Sequence, residues 1–240
     1  MPDQHIASAF DRDLEGIQAL IMKMGGLVET AISQASRALE ERDKDLATSV
    51  RDADRQIDRL EERVNEEVAR VIALRAPTAS DLRTVLSVLK ISGNLERCGD
   101  YAKNLAKRTT VLVDMQPVGG TAKSVRRMAR EVELMLKDVL DSYIQRDVAL
   151  AEEVRLRDLE VDQMYNALFR EFLTHMMEDP RNITAAMHLH FIAKNLERTG
   201  DHVTSIADQV IYLVTGKIPE ESRPKEDLTA YARNNGEFEK

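Results

Sequence analysis

Acidic residues paired at one helical spacing are the part of this sequence best suited to chemistry. Glu96 and Asp100 lie four residues apart in the stretch NLERCGD, and Glu197 and Asp201 occupy the same places in NLERTGD, 101 residues later. On a helix, residues four apart lie on the same side, with about 5–6 Å between their Cβ atoms. Each pair can therefore present two carboxylates to one ligand.

A second pair of carboxylates precedes each of these motifs. Asp54 and Asp58 lie in RDADRQID, and Asp158 and Asp162 occupy the matching places in LRDLEVD, 104 residues later. If the helices carrying the two pairs of one copy are antiparallel neighbours, four carboxylates meet on one face. Such a cluster repels itself, so the pKa of some members rises unless a cation neutralises it. Oxygen ligands of this kind suit hard or borderline cations such as Mg²⁺, Mn²⁺ or Fe.

The same spacing has a plainer explanation as solvated helix surface. The chain has 42 acidic residues, so several such pairs are expected from composition alone. Arg97 and Arg198, beside the glutamates, could also form salt bridges with the same oxygens. The recurrence of both pairs at matching places favours ligation, because solvated faces elsewhere differ freely between the copies. Gly99 and Gly200 cost about 1 kcal/mol each inside a helix relative to alanine, which points to close approach of another group.

Apolar and small residues around the two motifs recur in steps of three and four and define one seam in each copy. The two seams consist of Val88, Ile91, Leu95, Cys98, Ala102, Leu105, Thr109 and Leu112, and of Leu189, Ile192, Leu196, Thr199, Val203, Ile206, Val210 and Leu213. This heptad pattern predicts a long amphipathic helix in each copy. With the seams facing the core, the glutamate and aspartate of both NLER motifs are expected on the outer surface.

Three helices are expected in each copy, separated by residues that interrupt helices. Pro77 and Pro180 predict a break before the last helix of each copy, MQPVGGT at 115–121 separates the copies, and Gly216 ends the final helix. We therefore expect an all-α protein of two tandem, pseudo-symmetric three-helix bundles, although a single six-helix bundle fits the same pattern. The expected bounds are 1–114 for the first bundle, 121–216 for the second and 217–240 for a mobile C-terminal tail.

Composition and missing motifs argue against several classes of function. The net charge of −8 argues against a sequence-independent nucleic-acid binder, which needs a surplus of Lys and Arg. No run approaches the roughly 18 apolar residues of a membrane span, and the N-terminus lacks a signal-peptide pattern, so we expect a cytoplasmic protein without membrane insertion. The sequence contains no Glu-x-x-His, Gly-x-Ser-x-Gly or phosphate-binding glycine loop, and we expect no catalytic residues.

The two pairs of motifs, repeated in the same order, resemble the PhoU family of phosphate-signalling regulators. The likeness is carried by NLERCGDYAKNLA with NLERTGDHVTSIA and by DRQID with LEVD, and it covers residues 8–214. It implies a PhoU-like fold with metal clusters on the helix surface, holding divalent or trivalent ions (Fe, Mg, Mn or Zn). Carried over by position, the first cluster would use Asp54, Asp58, Glu96 and Asp100, and the second Asp158, Asp162, Glu197 and Asp201.

The resemblance also implies a regulatory function. The chain would be a negative regulator of the phosphate-starvation response, acting as an adaptor between the ATPase of the phosphate ABC transporter and a membrane sensor histidine kinase, and we expect a homodimer. Inside the repeat, Lys107 is matched by Asp208, so the two faces differ in charge and need not hold equal numbers of metals. Two alternatives remain: a metalloenzyme acting on phosphate esters or oxygen through a multinuclear centre, and a structural bundle with idle acidic faces.

Overall fold

The computed structural model describes residues 2–219, which form six long α-helices and one short 3₁₀ helix. Their bounds are α1 Pro2–Glu41, α2 Lys44–Arg75, α3 Ala79–Leu112, α4 Thr121–Gln145, α5 Val148–Glu178, the 3₁₀ helix Pro180–Asn182 and α6 Ile183–Thr215. Most of the predicted C-terminal tail, from residue 220 onward, lies outside the described residues. Within them, no helix has the length and apolar character needed to span a membrane.

The helix boundaries follow the predicted interruptions. Pro77 lies between α2 and α3, Pro180 lies between α5 and α6, and Gly216 ends α6 with a left-handed φ of 75°. A shared turn also joins the first two helices of each half. There Arg42 and Arg146 adopt left-handed φ angles of 58° and 54°, and the aspartate that follows each one caps the next helix by accepting hydrogen bonds from backbone N–H groups.

The seams predicted from the heptad pattern form the centre of the protein. All sixteen seam residues are buried. Fourteen of them, all except Thr109 and Thr199, belong to one apolar core that extends through both halves of the chain. Burial of these stripes is the main reason the helices pack as they do, because each helix is strongly polar elsewhere.

The two halves are three-helix bundles packed side by side, which confirms the predicted fold class. Helices α1 to α3 contact one another, as do α4 to α6, and the halves meet along α3–α6 and α1–α4. The outer helices α2 and α5 contact only their own half. At the centre of the antiparallel α3–α6 pair the repeat equivalents touch, with Cys98 Sγ 3.9 Å from the Thr199 carbonyl oxygen. The predicted bounds of the two bundles as separate domains stay a prediction, because the core is shared.

Candidate functional site

The four carboxylates of the first copy meet between α2 and α3, as the sequence predicted. Asp54 is buried, whereas Asp58, Glu96 and Asp100 are partly exposed. Lys103 joins the two helices, since its Nζ lies 2.5 Å from Asp54 Oδ2 and 3.5 Å from Asp100 Oδ1. We call these four acids the first cluster.

The electrostatics of the first cluster show that its members sense one another. Burial raises the pKa of Glu96 above its usual value, and the nearby Asp100 carboxylate raises it further. Burial likewise raises the pKa of Asp58, with a further contribution from the Asp54 carboxylate. The ammonium group of Lys103 has the opposite effect and lowers the pKa of Asp58. The cluster is therefore a site of excess negative charge that a cation stabilises.

The second copy brings its carboxylates together between α5 and α6 in a more buried setting. Asp158, Asp162 and Glu197 are buried, and Asp201 is partly exposed. Burial raises the pKa of Glu197, the carboxylates of Asp201 and Asp162 add to the rise, and Lys194 opposes it. The Lys194 Nζ lies 2.9 Å from Glu197 Oε1. These four acids are the second cluster.

The prediction that both NLER motifs expose their acids is wrong for Glu197. Its side chain is 7% exposed, compared with 26% for Glu96, its counterpart. Lys194 lies against this carboxylate, with its Nζ 2.9 Å from Glu197 Oε1 and 4.9 Å from the centre of the Tyr165 ring. The residue equivalent to Lys194 in the first copy is Gly93, which has no side chain to cover Glu96.

The two motif glycines allow side chains of the neighbouring helix to approach the backbone closely, which explains why glycine is present inside a helix. A Cβ atom added to Gly200 would lie 2.8 Å from Asp158 Oδ1. One added to Gly99 would lie 2.9 Å from Ile57 Cδ1 and 3.6 Å from Asp54 Oδ1. The close approach expected from the sequence is therefore that of the neighbouring helix with its buried aspartate.

The donor set of the clusters suits a hard cation, but the side chains are not arranged for ligation. Among the described side chains of residues 9–219, no three His, Cys, Asp or Glu side chains converge to hold one metal ion. Glu197 Oε2 is nonetheless buried and finds no hydrogen-bond partner in the described part of the chain. A metal ion bound here would have to displace the lysine ammonium and draw the carboxylates together.

Lys103 and Lys194 are the members of these sites that the sequence prediction missed. Each lies three residues from a cluster acid on the same helix, Lys103 after Asp100 and Lys194 before Glu197. That spacing brings side chains together on a helix. In a sequence this rich in charge the signal is weak, because many such pairs occur.

A cavity of the molecule lies apart from both clusters. It has a volume of about 190 Å³ and lies at the end of the bundle where α1 ends and the segment between α3 and α4 passes over α6. None of the eight cluster carboxylates lines it. The cavity is therefore not part of either cluster.

Comparisons with known proteins match nearly the whole chain. The family model described as "PhoU domain" matches residues 21–109 and again 125–210. A "phosphate-specific transport system accessory protein PhoU homolog" of Zymomonas mobilis is 47% identical over 94% of this chain and 95% of that protein. The protein of the same name from Caulobacter vibrioides is 44% identical over 94% of this chain and 98% of its own length.

Solved structures agree with these matches. The crystal structure of PhoU from Pseudomonas aeruginosa has a TM-score of 0.84 and 39% identity, and covers 87% of this chain and 100% of that one. A "phosphate transport system regulatory protein PhoU" from Streptococcus pneumoniae has a TM-score of 0.82 and 29% identity, over 88% and 100% of the two chains. The names denote accessory and regulatory proteins, which confirms the prediction that the chain is not an enzyme.

Proposed function

Because this chain belongs to the PhoU family, we propose that it is a regulatory accessory protein of phosphate uptake that represses the phosphate-starvation response when phosphate is plentiful. The observation that carries the proposal is the pair of equivalent carboxylate clusters on the faces of a helical chain of this family. Helical surfaces with fixed charge are suited to recognition, and regulation by binding needs no catalytic group.

The mechanism we propose is that of a cytoplasmic adaptor. The chain, as a homodimer, binds the ATPase of the phosphate ABC transporter and a membrane sensor histidine kinase, and it prefers the inactive or phosphatase state of the kinase. A protein that binds one of two states more tightly shifts the equilibrium toward that state by its differential affinity alone. The two packed halves offer a rigid scaffold for such binding, because one core extends through both.

Titration of the purified chain against each partner tests the adaptor role. We expect saturable binding to the transporter ATPase and to the cytoplasmic part of the kinase, with affinity for the kinase that depends on phosphate supply. Absence of binding to either protein at high and at low phosphate would contradict the proposal.

We also propose that each cluster binds metal ions, with Fe, Mg, Mn or Zn as candidates. Two features support this. Four carboxylates lie close together in each cluster, and Glu197 Oε2 is a buried acceptor that has no hydrogen-bond partner among the described side chains. A hard cation would relieve the repulsion that raises the pKa of Glu197 and Glu96 beyond the effect of burial. Lys103 and Lys194 would then occupy the sites only when the metal is absent.

Metal analysis of protein purified without chelator tests this second proposal. We expect Glu197→Ala to lose most of the metal bound at the second cluster and to leave that at the first unchanged. Glu160→Ala is the matched control, since Glu160 is an exposed glutamate of α5 between the two cluster aspartates. Equal metal content in wild type and Glu197→Ala would show that the acidic faces are not metal sites.

A further inference from the structure

An apolar groove lies between α5 and α6 at the end of the second half, away from the carboxylate clusters. It has a volume of about 170 Å³ and is lined by Phe169, Phe172, Leu173, Met176, Met187 and His190. We call it the α5–α6 groove. Four large apolar side chains in and beside it remain open to solvent: Leu173 at 41%, Met177 at 84%, Met187 at 39% and Phe191 at 44% exposed. A concentration of exposed apolar side chains of this size marks an interaction site more often than a chance feature.

The first half of the chain has only part of this surface. Met176 and Met187 are matched there by Ile72 and Leu86, which are also exposed, at 38% and 42%, but the larger side chains around them are replaced. Phe169, Leu173 and Met177 of α5 are matched in α2 by Asn65, Ala69 and Ala73. Phe191 of α6 is matched in α3 by Lys90. The two halves share their seams and their cluster acids, and they differ here. The fold shared by the two halves does not require large apolar side chains at the four positions that differ.

The charges beside the groove indicate the chemistry of its occupant. The Arg108 guanidinium lies 4.2 Å from the centre of the Phe191 ring, and its nearest polar side-chain contact is His188 Nδ1 at 3.4 Å. Arg170, next to Phe169, donates its Nε–H to the Asn166 carbonyl oxygen of its own helix. Among the side chains that the structure describes, residues 9–219, neither arginine forms an ion pair with a carboxylate.

The internal comparison applies to these charges as well. Arg108 is matched by Gln209 and Arg170 by Glu66. The two positive charges therefore distinguish this surface from the equivalent surface of the other half, as the large apolar side chains do. Two arginines without acidic partners beside an apolar groove therefore complement a segment that carries carboxylates beside its apolar face.

We propose that the α5–α6 groove binds an amphipathic helix of a partner protein, whose apolar face fills the groove and whose flanking carboxylates pair with Arg108 and Arg170. A helix laid in a groove between two helices is a common mode of recognition, with anchors spaced at i, i+3, i+4 and i+7. A membrane surface fits less well, because anionic lipid recognition uses clusters of about 4–8 basic residues and this site has two arginines. The inference goes beyond the proposed function, since it holds whichever protein supplies the helix.

A synthetic helix tests the proposal on the full chain. The probe is a fluorescent amphipathic peptide with leucines on one face and glutamates along both flanks, and its counterpart carries lysines at the flanks. By fluorescence anisotropy we expect saturable binding of the acidic peptide and about tenfold weaker binding of the basic one. Lack of saturable binding of the acidic peptide, or equal affinity for both peptides, would overturn the proposal.

Variants that replace a residue by its equivalent in the other half test whether the peptide binds in the groove. We expect Leu173→Ala and Phe191→Lys each to weaken the acidic peptide about tenfold, and Arg108→Gln to weaken the acidic peptide alone. Leu156→Ala, at an exposed leucine of α5 outside the groove, is the matched control and should leave affinity unchanged. Unchanged affinity in both groove variants would overturn the proposal.

The other possible occupants have distinct signatures. A dimer that Phe191→Lys converts to monomer in sedimentation velocity would show that a second copy fills the groove. Cosedimentation with anionic lipid vesicles that is lost in Phe191→Lys would show a membrane surface instead. Either result would overturn the assignment to a partner helix. All substituted side chains are at least partly exposed, and urea unfolding confirms that each variant folds.

Discussion

The first and second clusters use the same four acids, but they differ in how these acids are shielded from solvent. In the first cluster only Asp54 is buried, while in the second three of four acids are buried. Each cluster also holds one lysine, and the two lysines come from different places. Lys103, which follows the first motif, is matched by Thr204, and Lys194, which precedes the second, is matched by Gly93.

The comparison shows which features the two clusters share and which features differ between them. The carboxylates recur at matching positions, whereas the lysine that neutralises them comes from a different position in each half. The requirement is therefore for a cation beside the acids, and it is met by different residues. The more buried second cluster should respond more strongly to any change of charge or volume, because buried charges are less screened by water.

The largest expected effect is that of adding a methyl group at the second motif. In Gly200→Ala the new Cβ meets Asp158 Oδ1, an atom of a short and buried side chain, at 2.8 Å. Overpacking of this kind costs about 1–3 kcal/mol, of which the better helix propensity of alanine offsets ~1 kcal/mol. We expect the free energy of unfolding in urea to fall by up to about 2 kcal/mol.

The first motif and a neutral position provide the comparison. Gly99→Ala should change stability by less than about 1 kcal/mol, because its new Cβ meets the flexible end of Ile57. Gly93→Ala, a helical glycine with no atom within 4 Å of the added Cβ, should stabilise the protein by up to ~1 kcal/mol. Equal effects at Gly99 and Gly200 would show that the buried aspartate does not distinguish the two sites.

The next largest effect is expected from removal of the internal cation. Lys194→Met should raise the affinity of the second cluster for Mn²⁺ about tenfold, because the ammonium no longer competes for Glu197. Lys103→Met should raise the affinity of the first cluster by a smaller factor, since Glu96 and Asp100 are partly exposed. Titration followed by electron paramagnetic resonance measures both.

The control for the lysine variants is Lys137→Met, at an exposed lysine of α4. It changes the net charge equally and should leave Mn²⁺ affinity unchanged. If all three variants alter affinity alike, the effect is one of total charge, and the lysines are not competitors within the clusters.

The helices and the grouping of the acids could be predicted from sequence, because both follow from helical periodicity. All sixteen seam residues are buried, and each predicted set of four acids lies between the predicted pair of helices. The burial of Glu197 could not be predicted, because it depends on where the flexible Lys194 side chain lies against Tyr165. The α5–α6 groove was also not predicted, because methionine and phenylalanine are typical of a buried core and the sequence does not show which of them are exposed.

A third expected effect concerns pH and is greater at the second cluster. Glu197 has a raised pKa in the folded protein, so the folded state holds its proton more tightly than the unfolded state does. The free-energy cost of burying the charged form of Glu197 is then fully present at neutral pH. This cost disappears as the pH falls through the pKa that Glu197 has in the folded protein. Glu197→Gln should raise the urea midpoint of metal-free protein at pH 7, with the difference from wild type shrinking toward pH 4.

Glu96→Gln is the comparison for the pH effect. Its pKa is also raised, but its side chain is more exposed, so we expect the same sign and a smaller difference. A Glu197→Gln variant whose difference from wild type grows on acidification would mean that the folded state stabilises the charged glutamate.

The smallest effect is expected at the position where the two halves differ in charge, Lys107 and Asp208. Asp208 Oδ1 lies 2.8 Å from Arg155 Nε, and Arg155 is also paired with Glu152. Asp208→Asn should therefore lower the free energy of unfolding by only about 0.5 kcal/mol, because the ion pair is partly exposed and Arg155 keeps its pair with Glu152. Lys107→Asn, at an exposed position, should leave the free energy of unfolding unchanged.

The metal content of Asp208→Asn provides a second measurement at this position. Because Asp208 is paired with Arg155, we expect wild type and Asp208→Asn to contain equal amounts of metal. A loss of metal in Asp208→Asn would show that Asp208 is a fifth acid of the second cluster.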